Sequence, residues 1–195
     1  DLPDPESPYA SSKIASDSLA VALNKTYNLP ITIARPFNTF GPRQSLRAII
    51  PTLITQLIGK NNKPILKLGN INTKRDLVFI EDTVLAIKKI LFSDKSIGKI
   101  YNISYGKSYS IKYLINFFSK VLKKNPIIKI QKKRIRSSEV YNLVGSNRTI
   151  IKELKWRPKY IKQKQYNNAL LKTVDWFCQN DNYEKYRHSI DNYNT

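Results

Sequence analysis

Short runs of β-branched and aliphatic residues alternate along this chain with stretches whose apolar residues recur every three or four positions. That alternation limits the fold more than any other feature. The short runs lie at residues 29–34, 65–68, 76–80, 99–104 and 127–130. Each is too short for a helix and begins at or just after Pro, Gly, Asn or Asp, so each reads as a strand. The helical pattern covers residues 9–27, with Ile14, Leu19, Ala22 and Leu23 on one face, then 49–58, 81–92, 110–122, 148–154 and 166–178. Strands alternating with helices specify an α/β fold with a parallel sheet.

Local signals place the boundaries. Ser7 can cap the first helix, Pro8 suits its first position and Asn28 suits its stop. Arg35-Pro36 is expected to end the following strand, because proline cannot continue a central ladder. Residues 37–44 read as a loop punctuated by Gly41-Pro42, and Gly59 follows the second helix. Residues 179–195 read as a polar tail.

Composition excludes several classes. No apolar run approaches the ~18 residues that cross a bilayer. One cysteine, Cys178, and one histidine, His188, leave no disulfide framework and no His/Cys metal site. Cys178 is expected to be a buried, inert thiol on a helix face. The chain lacks Met and any basic-then-apolar leader, and is read as a piece of something longer. The net charge is +20, and residues 95–172 hold 20 Lys/Arg against 2 Asp/Glu. Such a block suits an anionic partner, nucleic acid first. However, 25 of the 34 basic residues are Lys, and Ile and Asn are also abundant, as AT-rich codons would give. No nucleic-acid motif accompanies the charge.

Tyr9 and Lys13 are four residues apart at a helix start, which stacks them on one face. A free phenol has a pKa near ~10, and an ammonium beside it favours the phenolate. Such a pair suits proton abstraction from a hydroxyl, although Tyr-x-x-x-Lys alone is a weak pattern.

The order of motifs adds to it. Ser7-Pro8-Tyr9-Ala10-Ser11-Ser12-Lys13 is followed by Arg35-Pro36-Phe37-Asn38-Thr39-Phe40-Gly41-Pro42-Arg43, Ile50-Pro51 and Leu68-Gly69. Lys74-Arg75-Asp76-Leu77-Val78-Phe79-Ile80-Glu81-Asp82, Tyr101-Asn102-Ile103, Arg136-Ser137-Ser138-Glu139-Val140 and Leu154-Lys155-Trp156-Arg157-Pro158 complete the series. This order resembles the extended short-chain dehydrogenase/reductase family, the NAD-dependent epimerases and dehydratases of nucleotide sugars. With Gln44-Ser45 and Ile49-Ile50-Pro51 included, it looks most like the 4,6-dehydratases of the legionaminic-acid pathway.

The resemblance implies the C-terminal part of a doubly wound, Rossmann-like NAD-binding sheet plus a small α/β substrate domain. Residues 1–45 would belong to the cofactor side and 46–178 mainly to the substrate side, with segments near 74–104 returning to the sheet. Tyr9 would be the catalytic base and Lys13 its electrostatic partner, also touching the nicotinamide ribose. Pro36 and Phe37 would lie against the nicotinamide. Asn38, Pro51, Lys67, Arg75, Arg136 and Glu139 would bind the nucleotide sugar, with Arg75 and Arg136 on the diphosphate and Glu139 on the ribose. Other readings stay open: Arg75-Asp76 as a strand-end ion pair, Asn38 as a loop hydrogen-bonder, Arg134 and Arg136 as solvated charges, and Arg134 in place of Arg136. Trp156 and Pro158 read as structural.

The implied chemistry is oxidation at the sugar C4 by hydride loss to NAD, with Tyr9 taking the hydroxyl proton, on the way to a 4-keto-6-deoxy sugar or a 4-epimer. The expected substrate is a UDP- or GDP-linked (N-acetyl)hexosamine used for surface polysaccharide. A cytoplasmic homodimer is expected, without metal, nucleic acid or membrane partner. The Gly-rich turn that seats the NAD pyrophosphate, and the family's Ser/Thr and acidic catalytic residues, are absent from the sequence. The chain alone is therefore expected to be inactive.

Overall fold

The computed structural model describes residues 4–135, 139–179 and 182. Its order is α1 (Pro8–Tyr27), β1 (Ile33–Pro36), β2 (Asn38–Phe40), α2 (Ile49–Leu57), β3 (Ile65–Leu68), β4 (Lys74–Arg75), β5 (Leu77–Phe79) and α3 (Ile80–Leu91). There follow β6 (Ile100–Ile103), β7 (Tyr109–Ser110), α4 (Ile111–Val121), β8 (Ile127–Ile130), β9 (Asn142–Leu143), α5 (Arg148–Leu154) and α6 (Gln163–Cys178).

Parallel pairing dominates, as the alternation requires. β1 pairs with β6, β2 with β5, and β3 with β8, all parallel. β4 lies between antiparallel β7 and parallel β9. β1 runs through Phe37 into β2, and β5 runs straight into α3, which packs on β1, β2 and β5.

Three boundaries differ from the sequence expectation. The strand expected at 29–34 begins at Ile33 and includes Pro36. Ile33 N and Phe37 N donate to the carbonyls of Lys99 and Ile103. Odd-numbered residues of β1 thus face β6, and the N–H that Pro36 lacks would point to the other edge. The proline breaks no ladder bond. The expected loop at 37–44 contains β2, because Asn38–Phe40 registers with Leu77–Phe79. Helix α6 starts at Gln163, three residues before the expected 166.

α1 carries the predicted signals: Ser7 Oγ accepts from Ala10 N at 3.1 Å, and Asn28 closes it in the left-handed conformation. The apolar face read from its sequence is only partly covered, with Ile14 and Leu23 half-buried. No residue of α1 is buried, and Leu19 is 61% exposed. Cys178 is also exposed, against expectation. Residues 166, 169, 170, 173, 174 and 177 form the buried face of α6, and 178 falls off it.

The core lies between α2, α4 and α6 and the short strands. It is strongly aromatic: Tyr166 stacks on Tyr109 with ring centres 3.9 Å apart and meets Phe40 edge-on at 5.6 Å. Trp156 is fully buried, as a structural residue should be, and its Nε1 donates to the Asp82 carbonyl. The Asp82 carboxylate accepts from Tyr105 Oη at 2.6 Å and from the backbone N–H groups of Lys159 and Tyr160. That ties the segment after α5 to the start of α3. Burial, then the Asp82 carboxylate, hold the Tyr105 phenol far above its ordinary pKa.

Candidate active site

Residues of β2 and β4, the start of α2, the end of β3 and the first residue of α4 surround a cleft of about 590 Å³, lined by Asn38, Gln44, Arg47, Arg75, Arg134 and Glu139 among others. That size suits a small organic ligand. Continuous chain leads to it. Pro36 ends β1, Phe37 follows it, and Asn38, the next residue, already lines the cleft.

Two glycines permit close approaches, and one of them, Gly69, lines the cleft. A Cβ on Gly145 would lie 2.5 Å from Phe37 Cζ and 2.6 Å from Ser104 Cβ. A Cβ on Gly69 would lie 2.5 Å from the Arg134 carbonyl oxygen. The first close approach seats the Phe37 ring, and the second brings the Arg134 backbone against the end of β3.

Arg75 is held in place. Its Nη1 donates to the carbonyls of Lys74 and Val140 at 2.9 and 2.6 Å, and its Nη2 lies 3.5 Å from Glu139 Oε1. The alternative Arg75–Asp76 ion pair does not form. Asp76 is fully buried and accepts from the backbone N–H groups of Tyr105, Gly106 and Gly145. Burial pushes its carboxyl pKa up, while backbone N–H groups of Tyr105, Gly145, Gly106 and Lys107 work against that rise. One side chain thereby joins the ends of β4, β6 and β9 beneath the cleft.

Two acceptor oxygens of cleft residues are buried without a partner, Gln44 Oε1 and Glu139 Oε2. Gln44 Nε2 is used, donating to the Thr39 carbonyl at 2.6 Å. A buried acceptor that lacks a donor costs about 1–3 kcal/mol, so the cleft favours a ligand that supplies N–H or O–H groups there. The guanidinium groups of Arg47, Arg75 and Arg134 along the same walls favour an anion.

The expected site residues divide into three groups. Asn38, Arg75 and Glu139 meet in the cleft. Tyr9 and Lys13 share one face of α1, with Lys13 Nζ 5.4 Å from the Tyr9 ring centre, and Tyr9 is 72% exposed. An Arg35–Asp17 contact of 2.6 Å ties that helix to β1. Pro51 and Lys67 stand apart from the cleft. Pro51 is buried inside α2, where Ala48, Ile49 and Thr52 line the cleft instead. Lys67 is exposed on β3, with buried Leu66 and Leu68 on either side. Arg136 lies outside the described residues.

Sequence reasoning gave no role to Gln44 and Arg47. Their signal is positional: they occupy the turn between Gly41-Pro42 and the first turn of α2, directly after the strand that carries Asn38. Among the described residues no cluster of His, Cys, Asp and Glu could hold a metal ion.

Residues 2–167 match the family described as GDP-mannose 4,6 dehydratase. The chain belongs to that family. It is one of the extended short-chain dehydrogenase/reductases, with an α/β, Rossmann-like fold. Among its curated relatives, the GDP-6-deoxy-D-mannose reductase of Pseudomonas aeruginosa is 30% identical over 180 residues, 90% of this chain and 57% of that protein. The dTDP-glucose 4,6-dehydratase of Shigella flexneri is 28% identical over 187 residues, 92% of this chain and 49% of that protein. The chain thus spans about half the length of the curated relatives it matches. Among solved structures, dTDP-glucose 4,6-dehydratase from Bacillus anthracis, in complex with NAD, superposes with a TM-score of 0.76 at 28% identity, over 92% of this chain and 54% of that one. UDP-glucuronic acid 4-epimerase from Bacillus cereus, in complex with UDP-glucuronic acid and NAD, gives 0.80 at 25% identity, over 91% and 55%.

Proposed function

We propose that this chain forms the substrate-binding and proton-transferring part of an NAD-dependent nucleotide-sugar 4,6-dehydratase. The observation that carries the reading is the cleft wall, where three guanidinium groups stand beside two buried acceptor oxygens without partners. A nucleoside diphosphate sugar answers both: its phosphates suit the arginines, and its ribose, base and sugar supply donors. In this reading Arg75 and Arg47 grip the diphosphate, with Arg134 as the further basic contact. Asn38 contacts the sugar nucleotide, and Glu139 Oε2 accepts from the ribose. The run from Arg35 to Arg43 with Gln44-Ser45 and Ile49-Ile50-Pro51 supports a UDP- or GDP-linked (N-acetyl)hexosamine.

The residues fit the nicotinamide end of NAD. Pro36 and Phe37 lie at the C-terminal end of a parallel strand, where α/β folds bind dinucleotides, and Gly145 leaves room for the Phe37 ring. The pyrophosphate end has no Gly-rich turn in this sequence. When bound, NAD would accept and return hydride. The chain's own part is to hold the sugar through the cleft and to take the 4-hydroxyl proton on Tyr9 Oη, with Lys13 one helical turn away on the same face. A 4-epimerase is the second reading, supported by the likeness to the Bacillus cereus enzyme. It uses the same Tyr–Lys pair. The exposed face of α1 supports a homodimer that packs on it.

Calorimetric titration with UDP, GDP and dTDP tests the reading. Arg75→Ala should weaken the preferred nucleotide by about 1.5–3 kcal/mol, the scale of a charge-assisted hydrogen bond. No binding of any nucleoside diphosphate, or equal binding by the variant, would remove the assignment.

A further inference from the structure

The β3–β8 pair lies beside the cleft, and its outer face takes no part in it. Ile65 registers with Ile127 and Lys67 with Lys129. Side chains alternate along a strand, so these four share one face, opposite buried Leu66 and Leu68. Ile65 is 50% exposed and Ile127 57%. All four residues of β8 are exposed. Residues 60–68 and 123–135, which form and flank the pair, hold nine Lys/Arg, no Asp or Glu and no aromatic residue. None of the four ion pairs between described residues involves Lys67 or Lys129.

Lysines can guard an unpaired strand edge against aggregation, and Pro126 at the start of β8 would help. A guard accounts for the lysines. It leaves the isoleucines unexplained, because exposed aliphatic side chains on a flat edge work against it. Nucleic acid would answer the charge but gains little from isoleucine, and the face offers no ring for base stacking. An acidic bilayer surface answers both features. Aliphatic side chains enter the acyl boundary while lysine ammonium groups reach the headgroups.

We propose that the outer face of β3–β8 docks reversibly on an anionic lipid surface, with Ile65 and Ile127 entering the interface and Lys67 and Lys129 contacting headgroups. This contact is peripheral: no helix among the described residues is long and apolar enough to cross a membrane. It is independent of what the cleft binds.

Co-sedimentation of the 195-residue chain with vesicles tests it. Mixed phosphatidylcholine/phosphatidylglycerol vesicles at about 0.1 M salt are compared with pure phosphatidylcholine. The chain should pellet only with the acidic vesicles. Each lysine near such a surface contributes about fivefold in partition, so Lys129→Glu should weaken binding more than about tenfold. Ile127→Ser changes no charge and should weaken it about fivefold. Lys88→Glu makes the same charge change at an exposed position of α3 and should have a smaller effect than Lys129→Glu. Lys129→Gln and Ile127→Thr repeat the readout should either variant misfold. The proposal fails if acidic vesicles do not pellet the chain, or if Ile127→Ser and Ile127→Thr bind as wild type. It fails equally if Lys88→Glu matches Lys129→Glu, since net charge alone then explains adsorption. Tighter binding of a duplex oligonucleotide, lost with the same substitutions, would reassign the face to nucleic acid.

Discussion

Gly145 and Phe37 meet at a contact with no room for a methyl group. A Cβ at position 145 would press on the Phe37 ring and on Ser104 together. Neither neighbour is the loose end of a long side chain. Gly145→Ala should therefore cost about 1–3 kcal/mol by overpacking. It should also turn the Phe37 ring away from its seat. Denaturant unfolding reads the first effect, and the Phe37 ring signals in NMR spectra read the second. At Tyr9 the question is chemical. Tyr9→Phe keeps the ring over which Lys13 Nζ sits and removes only the hydroxyl. In an active preparation its turnover should fall by several orders of magnitude with nucleotide affinity kept. Near-normal turnover would exclude the phenol as the base.

Between elements, α3 and α6 are joined by a small polar cluster. Lys172 Nζ donates to Glu81 Oε1 and to Tyr160 Oη, each at 2.7 Å, and Tyr160 Oη donates to Glu81 Oε2 at 2.6 Å. Desolvation works to raise the Glu81 pKa, but hydrogen bonds from Lys172 and Tyr160 outweigh it and leave the carboxyl below its usual range. A carboxyl lowered by folding adds stability above its ordinary pKa. That stability is lost as the pH falls through the lowered folded value. Both ends of the ion pair are about half exposed, so solvent screening holds the effect under about 1 kcal/mol. Thermal unfolding of wild type and Glu81→Gln should differ at neutral pH and converge in acid. A gap that persists at low pH would place the stabilisation elsewhere. This cluster also marks how far the sequence could be read. The long amphipathic stretches showed themselves by period, and the cleft residues Asn38, Arg75 and Glu139 by motif. The two-residue strands β4, β7 and β9 carry too few positions for any period to register. Tertiary pairing made β2 out of a stretch whose Gly and Pro signal a loop. Exposure of Cys178 turned on one residue of helical phase.

Across the whole molecule, β1 is bonded on one side only among the described residues. Ile33 N and Phe37 N are committed to β6, and the Ala34 N–H points to the open edge. In this chain by itself the Ala34 amide should exchange with deuterium faster than those of Ile33 and Phe37 by orders of magnitude. Equal protection would show that another strand covers the edge, for instance in a dimer. The partner strand β6 lies far along the sequence. Everything from Phe37 to Lys99 is spliced between two ribbons that touch, and that stretch supplies Asn38, Gln44, Arg47 and Arg75 to the cleft. The entropy of closing such a detour grows only with the logarithm of its length, by about 0.6 kcal/mol for each doubling. The detour that carries these cleft residues and the β1–β6 pair are thus distinct stretches of chain, joined at Phe37 and Lys99. Only the part of that detour outside α3, which packs on β1, is open to change in length while α1, β1 and β6 keep their registration. A scaffold wired in this way lets the cleft lining change while the strand pair that frames the detour stays in register.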